Sequence, residues 1–147
     1  MDTLQNKINV SPVYSRMVYL ILLALISVTQ VTYSQISVSD TLNANTTWAA
    51  ADSPVTVTQT VVIADGVTLT IEPGVAVRFD TGTSLIVDGA LVADGTAENK
   101  ILFTSNAANP AAGDWNTINL NNNADVGSVF DHIIAEYGGG GSLGSMV

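Results

Sequence analysis

The chain has 147 residues, enough for one domain, and its 13 acidic and four basic side chains give a net charge of −9. This acidity argues against nucleic acid and anionic lipid surfaces as partners, because both would be repelled. The chain has no cysteine, which excludes disulfides and a lipid-modified cysteine. Stability must therefore come from packing and backbone pairing alone.

The first 34 residues have the pattern of a secretory signal peptide. Lys7 and Arg16 precede the apolar run Met17–Val28, and small polar residues follow up to an expected cleavage before Gln35. The alternative is an uncleaved membrane anchor, but a membrane span needs about 20 apolar residues and this run is shorter. Cleavage would leave 12 acidic and two basic side chains, a net charge of −10, and no membrane association. The pattern thus predicts a secreted, extracellular or cell-surface protein.

Residues 35–54 are polar and rich in Thr and Asn, with one large apolar side chain, Trp48. An open solenoid end would expose its core and its unpaired strand edges. We therefore interpret this segment as an N-terminal cap, with Trp48 closing the core.

Residues 55–137 consist of short apolar runs separated by turns. Val55–Val61 alternates at period two, as a half-buried strand does. Six further strands are predicted at Val61–Ile63, Val67–Ile71, Val75–Phe79, Leu85–Val87, Ala90–Ala93 and Ile101–Thr104. Asp65-Gly66 and Pro73-Gly74 supply turns. In the strand that ends at Phe79, alternation points Val75, Val77 and Phe79 inward and leaves Ala76, Arg78 and Asp80 outside.

The pattern repeats. A shift of 23 residues superimposes Ile63 on Ile86 and Asp65 on Asp88, and a shift of 24 superimposes Phe79 on Phe103. A repeat of this length, made only of strands and turns, predicts a solenoid whose coils stack on one another.

A polar insertion, Asn106–Asp114, precedes a third coil that opens at Trp115–Leu120 and continues through Val129–Tyr137. We expect the glycine-rich residues 138–147 to form a corner without a cap. Two to three coils are close to the minimum for a stable stack, so we expect an N-terminal fragment that packs against further coils of its own full-length chain. A short natural protein with a flexible tail is the alternative.

Three stretches resemble a known family. Residues 66–79, GVTLTIEPGVAVRF, and 91–105, LVADGTAENKILFTS, look like the opening coils of secreted bacterial right-handed parallel β-helix proteins of the pectate-lyase-like superfamily. Residues 134–138, IAEYG, resemble the strand and corner of a following coil. The resemblance implies an all-β, right-handed parallel β-helix. It does not imply an activity, because the superfamily includes lyases, hydrolases, adhesins and tailspikes.

Asp65 and Asp88 are the candidate metal ligands. If they occupy equivalent corners of successive coils, their spacing would be about 4.8 Å and they could hold a weakly bound Ca²⁺. Asp before Gly is also ordinary turn chemistry, and that interpretation is favoured. No other cofactor is expected.

Trp115 and the adjacent Asp114 are the candidate binding residues. They follow the insertion, and in repeat folds insertions often carry the binding surface. Trp115 could stack on a sugar, or it could close the side of the solenoid beneath the loop.

Arg78, Lys100 and His132 are the remaining candidates for catalysis, and for each a structural or solubilising role is favoured. Strand alternation would place Asp131 and His132 on opposite faces, so they are not expected to converge as a dyad. Nor does Glu136, four residues on, complete a recognisable catalytic set. No catalytic residue is predicted.

The sequence therefore predicts a secreted or cell-surface β-helix module. Its role would be structural or adhesive, with polysaccharide or surface proteins as partners. The alternative is the N-terminal part of a polysaccharide lyase or hydrolase whose active site lies in later coils.

Overall fold

The structure is a computed structural model that describes residues 35–121, 124 and 127–139. The predicted signal peptide and residues 140–147 lie outside the described residues. Within the described part of the chain, no helix is long and apolar enough to cross a membrane.

Short strands make up almost all of the regular structure. A single turn of 3-10 helix covers Ala50–Asp52. The strands are β1 (Ile36–Val38), β2 (Thr46–Trp48), β3 (Val55–Val57), β4 (Val61–Ile63), β5 (Thr68–Ile71), β6 (Ala76–Phe79), β7 (Leu85–Val87), β8 (Ala90–Asp94), β9 (Ile101–Ser105), β10 (Ile118–Leu120), β11 (Val129–Asp131) and β12 (Ile133–Ala135).

The strands form three parallel sheets. Sheet A has the order β1-β3-β6-β9-β12, sheet B has β4-β7-β10, and sheet C has β2-β5-β8-β11. From β3 onward the chain visits sheets A, B and C in the same succession, and each strand pairs with the strand one circuit earlier. A parallel pair needs such a crossover connection, which the other two sheets supply here. The predicted fold class, an all-β parallel β-helix, is confirmed.

The core lies between the three sheets. Paired strands place inward side chains of successive circuits on top of one another, as in the row Val61, Leu85 and Ile118 of sheet B. In β6, Val77 and Phe79 are fully buried and Arg78 is exposed, which confirms the predicted alternation.

The predicted strand bounds agree with the structure to within one residue, except at the first strand. Val55–Val57 belongs to sheet A and Val61 to sheet B, so the predicted strand Val55–Val61 is wrong. The chain turns at residues 58–60, where Thr58 still donates its N–H to Val38 whereas Val61 donates to Ser84. Alternation at period two continues across this corner and therefore conceals it.

The predicted repeat offsets are also wrong. Ile63 pairs with Val87 rather than Ile86. Phe79 pairs with Ser105 rather than Phe103. In sheet B the predicted offset is short by one residue, and such a slip would move every side chain of the strand to its other face, so burial excludes it. In sheet A the predicted offset is short by two residues, which keeps the same face, so the number of residues in the intervening corners sets the register there.

The segment predicted as a cap contributes strands. β1 and β2 are the outermost described strands of sheets A and C, and an isolated bridge joins Leu42 to Ile63 of sheet B. Trp48 is buried in the core, next to Ile71 of the following circuit.

Gly89 marks the tightest corner. A Cβ atom at this position would lie 2.1 Å from the Val67 carbonyl oxygen and 2.4 Å from that of Ala64. Both neighbours are backbone atoms of the preceding circuit, so we expect Gly89→Ala to lower the free energy of unfolding by about 1–3 kcal/mol or more. Urea unfolding of the full chain measures this. Gly127→Ala is the matched control, because a Cβ there meets nothing within 4 Å. Equal stability of the two variants would contradict the observed register.

Candidate functional site

A row of polar side chains crosses the outer face of sheet A. Register pairs Ser37 with Thr56, Thr56 with Arg78, and Arg78 with Thr104. Glu136 directly follows Ala135, whose partner Phe103 precedes Thr104, and it accepts a hydrogen bond from the Thr104 hydroxyl at 2.8 Å. We call these five residues the polar row. One member comes from each of β1, β3, β6 and β9, and the fifth lies directly after β12.

The two threonines of the polar row are fixed rather than free to rotate. Thr56 is 3 % exposed and accepts a hydrogen bond from the Gln35 side-chain amide at 3.0 Å. Thr104 is 8 % exposed and held by Glu136. Arg78, between them in register, is exposed, and no carboxylate of the described residues lies within salt-bridge distance of its guanidinium. Its donors therefore face solvent from a rigid strand.

Trp115 is not available as a sugar platform in this structure. The ring is 2 % exposed and stacks on Phe79, with centroids 4.4 Å apart and an interplanar angle of 13°. Its indole N–H donates to the Glu136 carbonyl at 2.8 Å. Backbone covers it further, since a Cβ on Gly138 would lie 2.8 Å from the ring. Trp115 thus occupies the alternative position, closing the side of the solenoid.

Asp114 holds the insertion in place. One carboxylate oxygen accepts hydrogen bonds from the Ser105 hydroxyl at 2.6 Å and from the Ala111 N–H at 2.9 Å. Its backbone carbonyl also accepts from Gly82 at 2.7 Å. The Ser105 hydrogen bond, and then that from Ala111, lower the pKa of Asp114 below its ordinary value, because both stabilise the charged form. Asp114 therefore connects the insertion to the end of β9, and we call this set of hydrogen bonds the Asp114 clasp.

Asp131 and His132 do converge, so the expectation that alternation would separate them is wrong. His132 Nδ1 lies 3.0 Å from an Asp131 carboxylate oxygen, with the two side chains 42 % and 62 % exposed. The reason is a corner: His132 has φ 47° and separates β11 from β12. A positive φ at a non-glycine residue is uncommon and interrupts strand alternation.

Asp65 and Asp88 are not equivalent, which removes the stacking expected for a Ca²⁺ site. Four residues connect β4 to β5, but only two connect β7 to β8. The longer corner leaves Asp65 without a counterpart in the next circuit. Asp88 instead accepts a hydrogen bond from the Asn121 side-chain amide at 2.6 Å.

A second row, which sequence reasoning missed, is acidic. Asp131 pairs with Asp94, and Glu72 occupies the same register position one circuit earlier, since Ile71 pairs with Ala93. Like charges directly opposite one another are destabilising. The Glu72 carboxylate turns back and accepts a hydrogen bond from the Ala50 N–H at 2.9 Å. In the part of the chain that the structure describes, no three His, Cys, Asp or Glu side chains are arranged to hold a metal ion.

Lys100 and Tyr137 are both exposed. Lys100 is exposed in the corner before β9, away from the polar row. Tyr137 directly follows Glu136 and is the most exposed aromatic side chain of the described residues, at 37 %. The exposure of Tyr137 depends on a bend at its positive φ of 62°, which strand alternation does not predict.

Successive circuits through three parallel sheets define a β-helix domain. The family model described as pectate-lyase like beta helix domain matches residues 40–141, and the chain belongs to that family. No curated protein and no solved structure shows a significant match to the chain.

Replacing Asp114 with Asn tests the clasp. Because the pKa of Asp114 is lower in the folded chain than its ordinary 3.8, its ionised form stabilises the fold above that pH. This stabilisation is lost as the pH falls through the lower folded pKa. We therefore expect Asp114→Asn to be less stable than the wild type above pH 3.8, and the difference to shrink in stronger acid. Urea unfolding at a series of pH values measures it.

The control for this experiment is Glu98→Gln. It neutralises the exposed carboxylate of Glu98, which takes part in none of the side-chain hydrogen bonds of the described residues. The same pH-dependent loss in both variants would contradict the clasp and indicate a general charge effect.

Proposed function

We propose that the chain is a β-helix module of a secreted or cell-surface protein, and that it binds neutral polysaccharide along the outer face of sheet A. The polar row carries this proposal. Its exposed members are Ser37, Arg78 and Glu136, which present a hydroxyl, a guanidinium and a carboxylate at every second strand of the sheet, and these groups are complementary to sugar hydroxyls. The role is structural or adhesive, with the stacked strands as a rigid support.

The spacing of the row supports an extended ligand. Neighbouring strands lie about 4.8 Å apart, so five consecutive positions span about 19 Å along the stack. The three exposed members recur at every second strand, about 9.6 Å apart, so an extended polysaccharide would contact them at intervals along its chain. A rigid row also loses little conformational entropy when it binds.

Charge supports a neutral ligand over an anionic one. Without residues 1–34 the chain has two basic and 12 acidic side chains. A polyuronate would be repelled by this surface. Arg78 is the basic member of the polar row and would donate to neutral hydroxyl or ring oxygens. Tyr137, exposed next to Glu136, offers an aromatic surface against which an apolar sugar face can pack.

Secretion is supported by the signal pattern of residues 1–34 and by the family, because β-helix domains of this kind are often extracellular. We expect the exported protein to begin at Gln35. N-terminal sequencing of protein recovered outside the cytoplasm measures this. An N-terminus at Met1, or retention in the membrane fraction, would contradict cleavage.

Affinity electrophoresis of the full chain tests polysaccharide binding. Gels containing xylan, galactomannan or mixed-linkage glucan are compared with gels containing polygalacturonate. We expect at least one neutral polysaccharide to retard the wild type. Arg78→Gln should bind about tenfold more weakly or worse, because it loses hydrogen bonds from a charged donor. Thr104→Val should also weaken binding, since it releases Glu136.

Lys100→Gln is the matched control, with the same change in charge at a corner outside the polar row. It should bind like the wild type. Failure of every neutral polysaccharide to retard the protein would overturn the proposal. Equal losses in Arg78→Gln and Lys100→Gln would also overturn it, because net charge rather than the row would then be responsible.

A polysaccharide lyase or hydrolase is the second candidate, favoured by the family's description as pectate-lyase like. The same polysaccharides discriminate the two candidates. New reducing ends, or ultraviolet absorbance from an unsaturated product, would favour the enzyme. Retardation with unchanged polymer length would favour the binding module.

A further inference from the structure

The described chain contains three Asp-Gly steps, Asp65-Gly66, Asp88-Gly89 and Asp94-Gly95. Among the steps that begin with Asp, Asp-Gly is the most prone to intramolecular cyclisation, because glycine has no side chain to shield its backbone nitrogen. The three steps differ in exposure and in backbone hydrogen bonding. We propose that Asp65-Gly66 is a site of spontaneous isoaspartate formation in the folded protein, and that the other two steps are protected by the stacking of successive circuits.

In this reaction, the Gly66 nitrogen attacks the side-chain carboxyl carbon of Asp65. An N–C bond forms, the nitrogen loses its proton, and the carboxyl group loses a hydroxyl, so that one water leaves and a five-membered succinimide remains. Water then adds to either carbonyl of the ring, and the bond between that carbonyl carbon and the nitrogen breaks, which opens the ring. Addition at one carbonyl restores aspartate, and addition at the other leaves the main chain running through the side-chain carboxyl. No oxidant, reductant or other reactant is required.

Attack requires the Asp-Gly peptide plane to rotate toward the carboxyl group, so hydrogen bonds on that peptide oppose the reaction. Asp65 and Gly66 are both exposed in the corner between β4 and β5. The turn is closed by a bond from the Val67 N–H to the Ala64 carbonyl at 3.0 Å. Among the backbone hydrogen bonds of the described residues, none uses the Gly66 N–H or the Asp65 carbonyl. This plane can therefore rotate without breaking a hydrogen bond.

Space is also available at this corner. Gly66 has φ 72°, and a Cβ atom built on it would meet nothing within 4 Å. The isoaspartyl linkage adds a main-chain atom, which the open side of the corner can accommodate. β4 and β5 need not leave their sheets.

The Asp88-Gly89 step is restrained on both sides. The Gly89 N–H donates to the Ile63 carbonyl at 3.2 Å, and Gly89 is buried against the carbonyls of Ala64 and Val67. The Asp88 carboxylate accepts a hydrogen bond from Asn121 at 2.6 Å. Rotation here would break bonds to two neighbouring circuits.

The Asp94-Gly95 step is restrained by the following circuit. The Gly95 N–H donates to the Asp131 carbonyl at 2.9 Å. A Cβ on Gly95 would lie 2.6 Å from the His132 carbonyl oxygen, so the backbone is closely covered. Contacts with the backbone of Asp131 and His132 therefore slow cyclisation at Asp94-Gly95, although the dipeptide is the same.

The test is timed incubation of the full chain at neutral pH below its unfolding temperature. Isoaspartate is measured by peptide mapping, with methyl transfer from S-adenosylmethionine by an isoaspartyl methyltransferase as the probe. We expect isoaspartate to form at Asp65 at least about fivefold faster than at Asp88 or Asp94, the factor that one net backbone hydrogen bond contributes. In protein unfolded by urea, the three rates should converge.

Asp65→Glu is the control variant, because glutamate would need a larger ring and cyclises far more slowly. It should abolish the signal at position 65 and leave the other two sites unchanged. Equal rates at the three sites in the folded chain, or faster reaction at Asp88 or Asp94, would overturn the proposal. So would rates that remain unequal by the same factor in urea, since local sequence would then be the cause.

Discussion

In-register pairing of parallel strands is the constraint on which the rest of this structure depends. Each strand bonds to the strand one circuit earlier, yet the separation between partners is far from constant. Ile36 pairs with Val55, whereas Val92 pairs with Val129. A strand cannot take up an extra residue without moving its side chains to the wrong face. The additional residues of a longer circuit must therefore lie in its corners, outside the stacked strands. Uniform strands and variable corners follow from the same requirement.

The long insertion between β9 and β10 is held against the core by side-chain contacts. The chain leaves sheet A after β9. Before β10, the Asp114 carboxylate accepts a hydrogen bond from Ser105 and the Trp115 ring stacks on Phe79. Trp115 packs between Phe79 and the backbone of Gly138, and so joins the insertion to the circuit before it and the circuit after it. An aromatic residue beside an insertion can thus stabilise the fold without contacting a ligand. Exposure, not residue type, separates Trp115 from Tyr137.

The strands could be predicted from the sequence because alternating β-branched residues mark them directly. The register could not, since it depends on how many residues each corner uses. Asp65 and Asp88 share the same dipeptide, but one corner has two residues more than the other. The polar row was missed for the same reason: Thr56, Arg78 and Thr104 are unequally spaced in sequence and become neighbours only after pairing. Asp131 and His132 were separated because a positive φ at His132 has no signature in strand alternation.

The two faces of sheet A are therefore under different constraints. Inward positions such as Val77 and Phe79 must fill a close-packed interior, so their identities follow from volume and hydrophobicity. Outward positions are free of that requirement, and many polar or charged side chains would be compatible with them. Two of them nevertheless hold buried threonines with specific polar partners. Thr104 thereby holds the exposed Glu136 carboxylate in place and Thr56 holds the Gln35 side chain, although neither threonine is itself exposed. The fold is thus supplied by the inner rows, and any recognition must come from the outer ones.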